Sequence, residues 1–254
     1  DGNENEKDGC TTDCEPSACG DGDVDVGLGE FCDDMNHVTG DGCYECVRVE
    51  KLDVGGGQTC TLLSDGRVKC WGGNSGGELG LGDTANRGDQ PGEMGDALPA
   101  IDLGTGRRAV AVAAEGAPSC AVLDDATLKC WGWNQYGQLG FGDTENRGDE
   151  PGEMGDALPT VDLGSGGSAV AVAVAASRAC ALLETGAVKC WGVNQHGQLG
   201  LGDTEDRGGE PGEMGDALPA VDLGGGCSAV AIATGVSHSC ALLDNASVKC
   251  WGDN

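Results

Sequence analysis

The segment Ala169-Val-Ala-Val-Ala-Val-Ala-Ala-Ser-Arg-Ala-Cys180-Ala-Leu-Leu-Glu-Thr-Gly-Ala-Val-Lys-Cys190-Trp191 decides the fold. Its opening alternates small and β-branched residues with a period of two, the spacing of a tightly packed strand and not of a helix. Cys180-Ala-Leu-Leu183 and Ala187-Val-Lys-Cys-Trp191 then flank the turn Glu184-Thr-Gly186. Cys180 and Cys190 are equidistant from Thr185. A hairpin with a three-residue loop therefore sets them opposite one another, with Gly186 in the left-handed position such loops favour. Ser64-Asp65-Gly66 serves an earlier copy in the same way. In two other copies Ala126 and Ala246 replace the glycine, which predicts strain or another turn type there.

Outward from this hairpin the chain repeats. Cys60, Cys120, Cys180 and Cys240 follow one another at sixty-residue steps, and so do Cys70, Cys130, Cys190 and Cys250. Pro-Gly-Glu-Met-Gly-Asp-Ala-Leu-Pro recurs unchanged at 91–99, 151–159 and 211–219. A fixed period of this size marks a repeat architecture. The units are read as 54–113, 114–173 and 174–233, with a partial fourth at 234–254, inside a repeat region 47–254. A last apolar piece, Leu158 to Leu163, supplies a candidate fourth strand. The fold class expected is all-β: about three and a half four-stranded propeller blades, completed by more chain or another copy, behind a disulfide-rich loop segment at 1–46.

Composition narrows the function. Of 254 residues 48 are Gly and 15 are Cys, and 43 acids against 14 bases give a formal net charge of −29. Interior glycine disfavours helix bundles. The acid excess argues against nucleic acid, whose phosphates are met by clustered Lys and Arg. The longest apolar run, Ala169 to Ala176, falls far short of the roughly 20 residues of a membrane span. The ten-residue cysteine spacing lacks the short gaps of thiolate zinc sites, so structural disulfides are expected for Cys60–Cys70, Cys120–Cys130, Cys180–Cys190 and Cys240–Cys250. Such bonds belong to an oxidising compartment, which predicts a secreted or cell-surface protein; the absence of a leading Met predicts a processed form. Cys227 is left over, its equivalents being Arg107 and Gly167. It is a candidate free thiol, intermolecular link or partner of an N-terminal cysteine.

The stretch Cys-Ala-Leu-Leu…Val-Lys-Cys-Trp-Gly-x-Asn-Gln-x-Gly-Gln-Leu-Gly-x-Gly-Asp-Thr, at 180–204 and with small changes at 120–144, resembles the repeat of the regulator-of-chromosome-condensation family. The resemblance covers about 200 of the 254 residues. It implies a β-propeller, commonly of seven blades, and the paired cysteines look like the secreted bacterial branch. Three readings of the blade count compete: a fragment, a ring or fibre completed by another copy, and a small four-bladed ring closed by an N-terminal strand. The nuclear member's exchange and chromatin roles do not carry over, because the acid excess opposes chromatin. A secreted relative with this type of repeat inhibits β-lactamases, an analogy of fold alone.

Residues 1–53 hold 16 acids and three bases. Their pattern looks like a short cysteine-rich repeat of myxobacterial-type surface proteins. Asp21, Asp23, Asp25, Glu30, Asp33, Asp34 and Asp41 stand on Gly-rich loops, and crowded hard oxygens suit calcium. The spacing starts like an EF-hand loop, but Cys32 occupies the place of its closing Glu, so the alternative is a solvated acidic linker. Acids of the repeat loops, Asp143, Asp149, Glu150, Glu153 and Asp156, are read as solubilising and as partners of Arg147. The Arg87-Gly-Asp89 and Arg147-Gly-Asp149 tripeptides are chance matches in so Gly- and Asp-rich a chain, and Asn245-Ala-Ser247 fits a glycosylation acceptor.

Catalysis requires a positioned base, nucleophile or metal, whereas His37, His196 and His238 stand at unrelated points of the repeat. The expectation is a non-enzymatic structural and protein-binding repeat protein that assembles with itself through open blade ends. The alternative is a monomeric inhibitor or adhesin; a propeller enzyme is the minor one.

Overall fold

The computed structural model describes Val47 and residues 49–253. The calcium candidates Asp21, Asp23, Asp25, Glu30, Asp33, Asp34 and Asp41, with the six N-terminal cysteines and His37, lie outside the described residues.

Among the described residues there are four antiparallel sheets of three strands each. The first joins β1 (Val49–Gly55), β2 (Gln58–Leu63) and β3 (Val68–Gly72); the second, β4 (Ala109–Ala113), β5 (Pro118–Leu123) and β6 (Leu128–Gly132). The third joins β7 (Ala169–Ala175), β8 (Arg178–Leu183) and β9 (Val188–Gly192); the fourth, β10 (Ala229–Thr234), β11 (His238–Leu243) and β12 (Val248–Gly252). Each sheet is thus a structural unit that starts at its own first strand. The sequence units beginning at 54 and 174 open inside β1 and β7.

The hairpins have the expected register. Cys180 pairs with Cys190 across β8 and β9, and the other three cysteine pairs hold the same register. All four pairs form disulfides with Cα atoms 4.1 Å apart. Gly186 turns at φ 78°, and its N–H donates to the Leu183 carbonyl at 2.8 Å. Ala126 and Ala246 close the same hydrogen-bonded turn at φ 63° and 64°, so the turn type is kept and the strain is accepted.

Each of the first three units resolves into three regular strands and one extended segment in place of a fourth strand. The Leu158–Leu163 piece is tied to β6 by one backbone bond, Val161 N–H to Leu128 O at 2.8 Å, while Leu158, Val161 and Leu163 are buried. Ile101 and Val221 make the same bond to Val68 and Val188. Two prolines, Pro151 and Pro159, and a short 3-10 turn at Gly155–Ala157 leave no run of backbone donors for a full ladder.

The sheets stack face to face in chain order. One junction packs Cys60, Leu62, Val68 and Cys70 of the first sheet against Val112, Ala121, Leu123 and Trp131 of the second. The next packs Cys120, Val122, Leu128 and Cys130 against Val172, Ala181, Leu183 and Trp191. Alanines on the facing strands let the sheets close, and the buried disulfides pack within these junctions. Among the described residues no helix is long and apolar enough to cross a membrane.

Candidate interaction site

The loops after β3, β6 and β9 are each organised by one buried asparagine. In the second unit Asn134 donates from Nδ2 to the carbonyls of Asp143 (3.0 Å) and Glu145 (2.9 Å). Its Oδ1 accepts from Leu139 N–H at 2.9 Å, and its own N–H donates to Asn146 Oδ1 at 2.9 Å. Asn74 and Asn194 make the matching contacts to Leu79 and Leu199. Gln138 Oε1 also accepts from Tyr136 N–H at 2.8 Å. With Asn134 and Gln138 turned inward, Gln135 and Tyr136 are exposed and Trp133 is half-buried.

This scaffold is common to three units, but the side chains it displays are not. Gly73, Trp133 and Val193 share one position, and Gly76, Tyr136 and His196 share another. Only the second unit carries two aromatics here. Their rings meet edge to face, with centroids 5.6 Å apart and planes at 86°.

Beside Trp133 lies a groove of about 530 Å³ whose walls include Gln135, Thr144, Arg147, Glu145, Asp149 and Glu150. Arg147 is engaged within its own loop: Nη2 meets Asp143 Oδ2 at 2.7 Å and Nη1 donates to the carbonyls of Glu145 and Asn146. Its guanidinium carbon stands 5.6 Å from the Phe141 ring centre. Arg87 and Arg207 pair likewise with Asp83 and Asp203. The loop arginines therefore pair with acids as read from the sequence, although the partners are Asp83, Asp143 and Asp203 and not Asp149 or Glu150. Burial raises the Asp83 carboxyl, but hydrogen bonds from Arg87 and the Ala85 N–H outweigh it and hold the group below its ordinary range.

Among the described residues nothing packs on two of the sheet faces. On the first sheet Val49, Leu52 and Val54 are 57%, 56% and 62% exposed, whereas Ala109, Val112 and Ala114 at the same register are buried. On the fourth sheet Leu242 and Val248 are 40% and 62% exposed, whereas Leu182 and Val188 are buried. The open faces are the two halves of the junction that the chain forms three times internally.

The remaining candidates do not converge. His196 and His238 are exposed on different elements. Among the described residues no three of His, Cys, Asp and Glu are grouped to hold a metal. Cys227 is half-buried and has no disulfide partner among the described residues; Asn245 Nδ2 lies 3.6 Å from its Sγ. The buried asparagine escaped sequence reading, although its recurrence two residues after each Trp-Gly was a usable signal.

Comparison with known proteins agrees with this geometry. Two models described as the regulator of chromosome condensation (RCC1) repeat match residues 128–182, and 169–198 with 229–254. The ultraviolet-B receptor UVR8 of Arabidopsis thaliana is 31% identical over 162 residues, 63% of this chain and 33% of that protein. The human E3 ubiquitin-protein ligase HERC2 is 29% identical over 195 residues, 75% of this chain and 4% of that protein. Human WBSCR16 superposes with a TM-score of 0.60 at 22% identity, covering 82% of this chain and 48% of that one. Yeast RCC1 (Prp20), solved with Kap60 bound, gives 0.60 at 22%, covering 81% and 44%. The chain thus spans a third or less of these two curated relatives and under half of these two solved chains.

Proposed function

We propose, from the premise that the chain carries repeats of the regulator of chromosome condensation (RCC1) type, that it is a non-enzymatic extracellular protein that works by binding proteins, another copy of itself among them. The observation that carries this reading is the pair of complementary uncovered faces. Val49, Leu52 and Val54 repeat the surface that receives a preceding blade, and Leu242 and Val248 the surface that receives a following one. Exposed apolar sheet faces of this kind mark surfaces that another protein covers. Two different faces give a head-to-tail contact that closes as a ring or runs on as a fibre. Four disulfides support the extracellular setting. The yeast relative solved with Kap60 supports protein binding as a use of this architecture.

Light scattering across micromolar concentrations tests the assembly. Masses above the 25.4 kDa of one chain, returned to that value by Val248→Asp, are the expected result. A species of one-chain mass at every concentration removes self-assembly from the reading. Calcium on Asp21, Asp23, Asp25, Glu30, Asp33, Asp34 and Asp41 belongs to the same proposal. Its test is the melting midpoint with Ca²⁺ against a chelator, and an unchanged midpoint removes it. Cys227 as an intermolecular link is tested by the mass of the oxidised species on a non-reducing gel.

The second reading, a monomeric inhibitor or adhesin, is favoured by one observation: Trp133 and Tyr136 distinguish one loop among near-identical units.

A further inference from the structure

We infer that the groove beside Trp133 binds a basic side chain, arginine or lysine, presented by an exposed segment of a partner protein. The inference rests on the protein-binding reading above and adds the chemistry of the partner.

The loop scaffold does not require Trp133. The sister loops keep the same asparagine scaffold with Gly73 or Val193 at its position. The other described tryptophans, Trp71, Trp131, Trp191 and Trp251, all follow a disulfide cysteine. Trp133 instead stands half-exposed on a loop, and two neighbours fix its ring. Tyr136 meets it edge-on, and Gly76 of the preceding unit leaves it room, since a Cβ there would come 3.1 Å from Trp133 Cβ. An indole face held in advance binds at little ordering cost.

Charge selects the ligand. Of the groove's acids, Glu153 accepts from the N–H groups of Gly148 (2.9 Å) and Glu150 (3.1 Å). Glu145, Asp149 and Glu150 have no basic partner among the described residues, and Arg147 is spent on Asp143. The carboxylates do not converge into a metal-holding group. An organic cation satisfies both features: its charge meets the carboxylates while its face or stem lies on the indole, a contact favoured by the ring quadrupole. Arginine adds planar stacking to this. A volume of about 530 Å³ accommodates such a side chain with its flanking backbone.

The test is fluorescence anisotropy of a labelled oligo-arginine peptide with the full chain, and oligo-glutamate as the control. It is run at about 0.15 M salt, where long-range attraction is screened beyond about 8 Å. The expected result is saturable binding of oligo-arginine alone, weakened about tenfold by Trp133→Val, the residue the third unit carries. Glu145→Gln with Asp149→Asn, a surface change that keeps the indole, weakens it as well and serves if the Trp133 variant does not fold. Equal affinity of wild type and folded variants, or no binding by wild type, overturns the inference. Light scattering of the same sample reports on assembly separately, so either reading can fail alone.

Discussion

Trp131 Nε1 donates to the carbonyl oxygen of Glu78 at 3.1 Å, across the junction between the first and second sheets. Trp191 does the same to Gln138 at 2.9 Å, and Trp251 to Gln198 at 3.0 Å. The tryptophan after the second cysteine of the second, third and fourth units is therefore a tie to the unit before it. Its indole fills the junction while its one polar atom satisfies a carbonyl that packing has taken from water.

The junctions differ in one respect. Ser119 Oγ and Ser239 Oγ also donate to the carbonyls of Glu78 and Gln198, at 2.9 and 3.0 Å. Ala179 stands at that position in the third unit, so Trp191 is the side-chain donor left to Gln138 O. Trp131→Phe keeps a donor on its carbonyl, whereas Trp191→Phe leaves one buried and unpaired, which costs about 1–3 kcal/mol more. Urea unfolding of the two variants measures the difference. Equal losses refute the account.

Ala126 and Ala246 hold φ near +63° in turns where Gly66 and Gly186 serve the sister units. An L-residue in this region costs roughly 1–2 kcal/mol that glycine avoids, less the extra entropy glycine loses on folding. Ala126→Gly is thus expected to stabilise the chain by about 0.5–1 kcal/mol, with Gly186→Ala destabilising by more than that, because its Cβ would also come 2.5 Å from Ser228 Cβ. A drop in melting temperature for Ala126→Gly contradicts the strain argument.

Arg178 is fully buried without a carboxylate. It donates to the carbonyls of Val236 (2.8 Å), Gly235 (2.7 Å) and His238 (2.5 Å), pinning the turn that enters β11. Burial lowers its pKa to about 10, so it remains charged at neutral pH. The first unit solves the same problem with Gln58, whose Nε2 donates to Gly116 O. Arg178→Leu strands the Val236 and Gly235 carbonyls, since His238 O keeps the Gly235 N–H at 2.8 Å, and is expected to cost about 2–4 kcal/mol, while Arg178→Gln recovers part of that. Chemical denaturation ranks them, and Gln as damaging as Leu counts against this view.

Three disulfides are buried, but Cys250 is exposed on the uncovered face of the fourth sheet. A mild reductant without denaturant is expected to open Cys240–Cys250 first, read by alkylation and peptide mass, with the others following only on unfolding. Each closes a short loop and contributes roughly 2–3 kcal/mol. Simultaneous loss of all four disagrees with this order.

The hairpins and the cysteine register were legible because they depend on neighbours in sequence, whereas at Ala126 the sequence left strain and another turn type open. A three-residue loop and a period-two strand leave few alternatives. The fourth strand was over-read at Leu158–Leu163: its apolar pattern records burial, which an extended segment with one backbone bond satisfies as well. Partners such as Trp191 and Gln138, 53 residues apart, were not legible, because nothing local encodes which carbonyl a tryptophan will meet. The groove at Trp133 was passed over for a related reason. Nothing local marks Tyr136, whose edge-to-face contact with Trp133 forms once the asparagine turns the loop outward.

Acid sensitivity follows from a second tie between units. Asp156 accepts from Thr105 N–H (2.8 Å) and Thr105 Oγ1 (2.5 Å), and Asp216 from Ser165 N–H and Oγ, both at 2.7 Å. The Thr105 side-chain and backbone hydrogen bonds hold the Asp156 carboxyl below its ordinary 3.8, and the Ser165 backbone and side-chain bonds do so for Asp216. A depressed carboxylate adds stability that is present above the unfolded value of 3.8 and is lost as pH falls through the lower folded value, because the unfolded chain binds the proton first. The melting midpoint is therefore expected to hold from neutral pH to about 4 and to fall below it. Asp156→Asn with Asp216→Asn should lower the midpoint at neutral pH and flatten the acid limb, since an amide keeps the geometry but no longer titrates. An acid limb as steep in the double variant as in the wild type assigns the sensitivity to other carboxylates.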